Sequence, residues 1–157
     1  MAISIKKVTL WRRDLDNRPG AMARVLEPLA RSGADLQVCM GYRVPGQESR
    51  AVVELAPVTG SKAVKAARDA GLSAASGIPT LLVTGDNRAG LGHDLARAIA
   101  GAGINMAFLM ALVVGKRHSS VIGFETEADA KAAARLIKKA SAAPKKKAAR
   151  KKARRKK

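Results

Sequence analysis

Cysteine, aromatic and acidic residues are all scarce in this chain of 157 residues. With Cys39 alone, an intramolecular disulfide cannot form and a cysteine-rich structural zinc site is excluded, so a reducing, cytoplasmic setting is expected. Trp11, Tyr42, Phe108 and Phe124 are too few, and too scattered, to make the base-stacking sheet of an RNA-binding domain. Long apolar runs are missing too. The longest nearly uncharged one, residues 102–115, contains Asn105 and is too short to span a bilayer. Residues 1–10 have no apolar stretch of the kind a secretory signal needs, so a soluble protein without a transmembrane segment is expected.

Charge of one sign is abundant instead. Thirty Lys and Arg stand against twelve Asp and Glu, for a net charge of +18. Ten of the basic residues fall in 141–157, where there is no acidic one, so residues 1–140 keep twenty basic and twelve acidic groups and a net charge of +8. A block so dense in like charge repels itself and has no apolar anchor, which predicts a disordered polybasic tail on a globular body.

The body contains an internal repeat. Asp16-Asn17-Arg18-Pro19-Gly20 recurs seventy residues later as Asp86-Asn87-Arg88-Ala89-Gly90, and the same offset aligns Ala30 with Ala100 and Gly33 with Gly103. Each copy carries the same order of signals. A strand at 8–12 leads through the loop to apolar positions Met22, Val25, Leu26 and Leu29 at helical spacing, and Gly33 stops that helix. Alternation over 36–44 predicts a half-buried strand; a turn at 45–48, a strand at 51–55, a helix at 61–70 and a short strand at 72–75 follow. The second copy repeats the series with a strand at 79–84, a helix at 91–102, strands at 104–114 and 119–124 and a helix at 128–140, but no sixth element precedes the tail. Either its sheet has three strands of its own, or another segment or chain supplies the missing edge. The expected fold is therefore α+β: two ferredoxin-like βαββαβ repeats, the second lacking its last strand. Expected boundaries are 1–76, 77–140 and a tail at 141–157.

The repeated loop has two readings. Asp16 or Asn17 can cap the following helix, Pro19 suits its first turn and Gly20 permits a close turn. Alternatively, the open helix N-terminus attracts a carboxylate or phosphate, with Arg18 and Arg88 adding charge-assisted bonds.

The segments from Asp16 to Leu36 and from Asp86 to Met106 resemble the ACT domain family in tandem, whose members show an Asp-x-x-Pro-Gly turn, a Leu-rich helix and a Gly-x-Asn entry into the second strand. The resemblance covers residues 5 to about 140. It implies an amino acid or similar small carboxylate ligand, held where the first loop of one domain meets the second strand of another. Carried over by position, the ligand-binding candidates are Asp16, Asn17, Arg18, Pro19, Gly20 and Asp35 in the first copy, and Asp86, Asn87, Arg88, Gly90 and Asn105 in the second. Neither copy matches fully. The first has Asp35 where the family often has Asn, and the second has Ala89 in place of proline. One composite site, the first loop acting with Asn105, fits this complementary decay, and so does loss of ligand binding.

The strand at 104–114 is apolar on both faces, whereas its counterpart alternates. At a sheet edge such a strand requires cover from the other repeat, a second chain or both, so a homodimer is expected. Catalysis has little support. His93 and His118 lack a nucleophile elbow or spaced partners and read as surface or turn residues. Glu125, Glu127 and Asp129 precede a helix and suit its dipole. No enzyme activity, metal or cofactor is expected.

The tail resembles the Lys/Ala/Pro-rich tails of histone-like proteins. Lys145, Lys146, Lys147, Arg150, Lys151, Lys152, Arg154, Arg155, Lys156 and Lys157 are the candidates for salt-sensitive, sequence-independent attachment to DNA or RNA. The sequence thus predicts a non-enzymatic amino-acid sensor with a polyanion-binding tail. The alternative is a nucleic-acid-associated protein whose ACT-like body serves only for oligomerisation.

Overall fold

A computed structural model of the protein describes residues 3–142; the expected polybasic tail, apart from Ser141 and Ala142, lies outside the described residues. The elements run β1 (Ile3–Asp16), α1 (Ala21–Arg31), β2 (Val38–Val44), β3 (Gln47–Ala56), α2 (Ser61–Asp69), β4 (Ser73–Asp86), α3 (Leu91–Ala100), β5 (Met106–Val114), β6 (Arg117–Phe124) and α4 (Glu127–Ala142). All six strands form one antiparallel sheet in the order β2-β3-β1-β4-β6-β5.

The missing strand of the second repeat comes from the N-terminus. β1 is longer than its alternation predicted, and its two halves serve different units. Residues 3–8 pair with 80–85 of β4, while residues 10–12 pair with 73–75 of the same strand. Between Val8 and Leu10 the register jumps, because β4 spends residues 76–79 as an irregularity. Each unit is thereby a complete four-stranded ferredoxin-like sheet. The first uses the C-terminal half of β1, β2, β3 and the start of β4; the second uses the rest of β4, β5, β6 and the N-terminal half of β1. Residues 76 and 77, the expected boundary, lie inside β4.

Strand alternation sorts the side chains of β1 between two faces. Trp11 and Leu15 pack with Val25, Leu29, Val53 and Leu55 against α1 and α2. Ile3 and Ile5, of the same parity, join Leu81, Val83, Ile122 and Phe124 beneath α3 and α4. The opposite face closes on itself: Leu10, Val38, Met40, Ala56, Leu82 and Val121 form a third cluster, so the sheet must curl to bring β2 towards β6. Gly123 makes that closure possible. A Cβ there would meet the Phe108 ring at 2.2 Å and Ile78 at 2.8 Å.

Helix α4 runs two residues beyond its expected end. Its buried positions Ala130, Ala133, Ile137 and Ser141 keep one stripe at helical spacing, which carries the helix into the first residues expected for the tail. Thr126 caps it, its Oγ1 accepting from the Asp129 N–H at 3.1 Å, and Glu127 and Asp129 occupy the first turn as their charge favours.

Candidate functional site

The two copies of the repeated loop fold alike at the backbone. Asn17 N–H donates to Ser49 O at 2.8 Å and Asn87 N–H to Lys116 O at 2.7 Å, tying each loop to the neighbouring hairpin. The capping reading is corrected at this point. Asp16 ends β1, Asn17 Nδ2 donates to Glu48 O at 2.8 Å, and the position before each helix is Gly20 (φ 81°) or Gly90 (φ 79°), with no side-chain cap in either case. These left-handed conformations explain why glycine recurs there. The first N–H of each helix turns back onto its own loop, Ala21 N–H donating to Arg18 O and Leu91 N–H to Arg88 O, both at 3.2 Å.

The side chains diverge. In the first loop Arg18 is 65% exposed, with Asp16 Oδ2 at 3.7 Å. Beside it a cleft of about 210 Å³ opens between the loop, the start of α1 and β2, lined by Asp16, Arg18, Ala21, Met22, Gly41 and Arg43 among others. Gly41 sets its floor, since a Cβ there would meet the Met22 sulfur at 3.0 Å. In the second loop Arg88 is only 10% exposed and its guanidinium binds Asp94 Oδ2 at 2.6 Å. Leu91, 4% exposed, replaces Ala21, and Ala111-Leu112-Val113 replaces Gly41-Tyr42-Arg43. The equivalent of Asp94 in the first copy is Arg24, which cannot pair with Arg18. One loop is open and cationic; the other is closed by its own arginine.

The Arg88 hydrogen bond holds the Asp94 carboxyl below its ordinary range, opposed by desolvation. His118 corrects the expectation of a surface residue: it is 7% exposed, paired with Gly85 in the β4/β6 ladder, with Nδ1 3.3 Å from Asp86 O. Its Nε2 and Arg88 Nε are buried with no protein hydrogen-bond partner. His93 is exposed as expected.

The remaining candidates are not gathered by this fold. Asp16 to Gly20 lead into the N-terminus of α1 and Asp35 follows its C-terminus, so a helix of eleven residues, about 16 Å long, separates them. Asp35 lies instead in a depression of about 590 Å³ with Gly33, Gln37, Thr59 and Ser61 at the start of α2. Asn105, at the far end of α3 from the second loop, donates to Glu125 Oε1 at 3.2 Å and lines neither loop. The two loops themselves stand at opposite ends of the long β1/β4 pair, roughly 40 Å apart at strand rise.

Sequence reasoning missed the β2 contribution. Tyr42, across the sheet from Met22, donates to Glu54 Oε2 at 3.1 Å, and Arg12 Nη1 reaches Glu54 Oε1 at 3.4 Å. Glu54 is 5% exposed, and this buried carboxylate anchors the strand that lines the cleft. Burial, with Glu54 behind it, pushes the Tyr42 hydroxyl above its usual range. The available signal was the contrast of Gly41-Tyr42-Arg43 with Ala111-Leu112-Val113 at the repeat offset. Cys39 is exposed on the same strand, and partial desolvation raises its thiol, the opposite of an activated nucleophile.

No protein-family model matches the chain, and no curated protein matches it in sequence. Solved structures do match in fold. A protein of Bacteroides thetaiotaomicron superposes with a TM-score of 0.67 at 16% identity, covering 87% of this chain and 90% of that one. The ligand-free regulatory subunit of aspartate kinase from Thermus thermophilus superposes with a TM-score of 0.61 at 18% identity, over 89% of this chain and 97% of the other. This chain has the fold of an aspartate kinase regulatory subunit. The corresponding subunit of Thermus flavus aligns over 90% and 97% of the two chains, at 19% identity and a TM-score of 0.56. These aspartate kinase neighbours are regulatory subunits rather than catalytic ones, and they share the ACT-like βαββαβ architecture expected from the repeat. Among the described residues no helix is long and apolar enough to cross a membrane, and no cluster of three His, Cys, Asp or Glu side chains could hold a metal.

Proposed function

We propose that this protein is a non-enzymatic regulatory protein that binds an amino acid, or a similar small carboxylate, in the cleft of the first loop. The observation that carries this reading is the asymmetry between two loops of nearly one sequence: Arg18 of the first is exposed beside a cleft of about 210 Å³, whereas Arg88 of the second is tied to Asp94. A ligand carboxylate matches Arg18 and Arg43 and the positive end of the α1 dipole. Its ammonium matches the Asp16 carboxylate, which is 80% exposed and held only by Arg18 at 3.7 Å. Nothing in this site breaks a bond; recognition alone shifts the balance between protein states.

The units are proposed to divide near residues 76 and 77 in sequence, with the N-terminal half of β1 serving the second unit in space. A cytoplasmic location and a homodimer complete the reading. The polybasic segment, Lys145 to Lys157, is proposed as a polyanion-binding appendage independent of the cleft. Thermal-shift screening against the twenty amino acids tests the first part, because a ligand specific for the native state raises the melting temperature. Truncation after Ala142 tests the second. DNA affinity and its dependence on salt should collapse while any amino-acid shift is retained. DNA binding that survives the truncation unchanged, with no shift from any amino acid, favours the alternative in which the ACT-like body serves a nucleic-acid-associated role.

A further inference from the structure

We infer that the outer face of α4 is part of the surface on which this chain holds double-stranded DNA, its exposed cations meeting backbone phosphates beside those of the polybasic segment. The inference rests on the polyanion-binding role proposed above for Lys145 to Lys157 and extends it onto the folded body.

Residues 130–157 hold fourteen Lys and Arg and no Asp or Glu. Four of these cations, Lys131, Arg135, Lys138 and Lys139, belong to α4 and are exposed. Lys131, Arg135 and Lys138 stand at i, i+4 and i+7, one stripe about 10 Å long on the side turned away from the buried Ala130, Ala133, Ile137 and Ser141. Among the described residues no ion pair holds any of the four. Glu127, four positions before Lys131, is taken by Lys7 at 2.6 Å, and Asp129 accepts from Thr126 Oγ1 at 2.7 Å. Residues 143–157 contain no acidic side chain with which to neutralise the stripe.

Folding alone does not call for this pattern. Like charges three and four positions apart weaken a helix, whereas α1 and α2 carry the opposite-charge pairs Glu27–Arg31 and Lys65–Asp69 at that spacing. The helix dipole favours Lys139 in the last turn, but its reach falls off within that turn, short of Lys131 and Arg135. Chemistry selects the occupant. A duplex carries one charge per about 1.7 Å of its axis, so a stripe of this length faces several phosphates at once. Apart from Glu127 and the four cations, the exposed residues of α4 are Ala128 and Ala142. The face therefore offers no aromatic ring to stack a single-stranded base and no large apolar side chain to enter a lipid interface. Lys145 follows Ala142 by three positions, so the stripe and the polybasic segment are neighbours along the chain.

The test measures binding of a DNA duplex to the full chain by fluorescence anisotropy across a salt series. Each phosphate contact that is lost lowers the slope of log affinity against log salt by about 0.9. Replacing three cations together, Lys131→Gln, Arg135→Gln and Lys138→Gln, should lower the slope by about 2.7. The affinity lost between about 50 and 200 mM salt then becomes about 40-fold smaller. Far-UV circular dichroism should not change, because these side chains lie outside the core. Lys131→Arg with Lys138→Arg should keep the parental slope, and so should Arg24→Gln with Lys62→Gln on the helices of the first unit. A full chain with no affinity for DNA would overturn both the polyanion-binding role and the α4 contact, and binding to vesicles of anionic lipid in its place would assign these cations to a membrane surface. DNA binding that is lost on truncation after Ala142, yet keeps its parental slope in the triple Gln variant, would overturn the α4 contact alone. So would a slope lowered as much per charge by Arg24→Gln with Lys62→Gln.

Discussion

Arg18 and Arg88 stand at equivalent places in the repeat and behave in opposite ways. The residue six positions further on differs: Asp94 binds Arg88, whereas the first copy has Arg24 at that place, which cannot form such a pair. Closure of the second loop leaves Arg88 Nε and His118 Nε2 buried without partners, a cost that the short Arg88–Asp94 bond opposes. Replacing Arg88 with Ala should move the Asp94 carboxyl upward towards its ordinary range, measurable by an NMR pH titration of the side chain. The sign follows from the depressed value in the folded state. The ion pair adds stability above the ordinary carboxylate range and loses it as pH falls through the depressed value, so the variant should gain nothing across that interval where the parent does. An Asp94 that titrates identically in parent and variant would mean that the pair does not form. At this scale the sequence was only partly legible. The repeated Asp-Asn-Arg-x-Gly motif marks both loops, but their opposite states depend on neighbours outside it, and the glycines that precede the helices displaced the capping role assigned to Asp16 and Asn17.

Among the elements, β1 shows how far periodicity reaches. Helices at 21–31 and 91–100 and the hairpins that follow them were legible because their apolar spacing is regular over ten or more residues. Residues 3–8 were not, since Lys6 and Lys7 interrupt the alternation of Ile3, Ile5 and Val8, and the need for this segment arises from a sheet seventy residues away. Deleting residues 1–8 should uncover the flank of β4 and release Ile3 and Ile5 from the second core. The expected loss is on the order of 2 to 4 kcal/mol in urea unfolding, from partial burial of two isoleucines and the ladder they belong to. Amide hydrogen exchange over residues 80–85 should rise first. Unchanged protection there would contradict the exchanged-strand arrangement. The strand at 104–114 was legible in another sense: its apolarity on both faces called for cover, and among the described residues Leu109, Leu112, Val113 and Val114 stay at least half exposed.

For the molecule as a whole, the net charge of +18 is concentrated towards one end of the sequence, with ten positive groups in 145–157. The described residues have the fold of aspartate kinase regulatory subunits, with two loops alike in sequence and backbone and unequal in their side-chain contacts. The composite site expected between the first loop and Asn105 is not formed within the chain, because Asn105 turns to Glu125 at the far end of α3. Ligand recognition is therefore proposed in one cleft, on Arg18, Arg43 and Asp16, with the second loop serving as structure.

Isothermal titration calorimetry of the full chain with the amino acid that gives the largest thermal shift tests this most directly. The prediction is a single ligand per chain, with affinity reduced at least tenfold by Arg18→Ala or Arg43→Ala, as loss of a charge-assisted bond of about 1.5 to 3 kcal/mol requires, and unchanged by Asn105→Ala. Two ligands per chain, or binding that ignores Arg18 and Arg43 and disappears with Asn105→Ala, would contradict it.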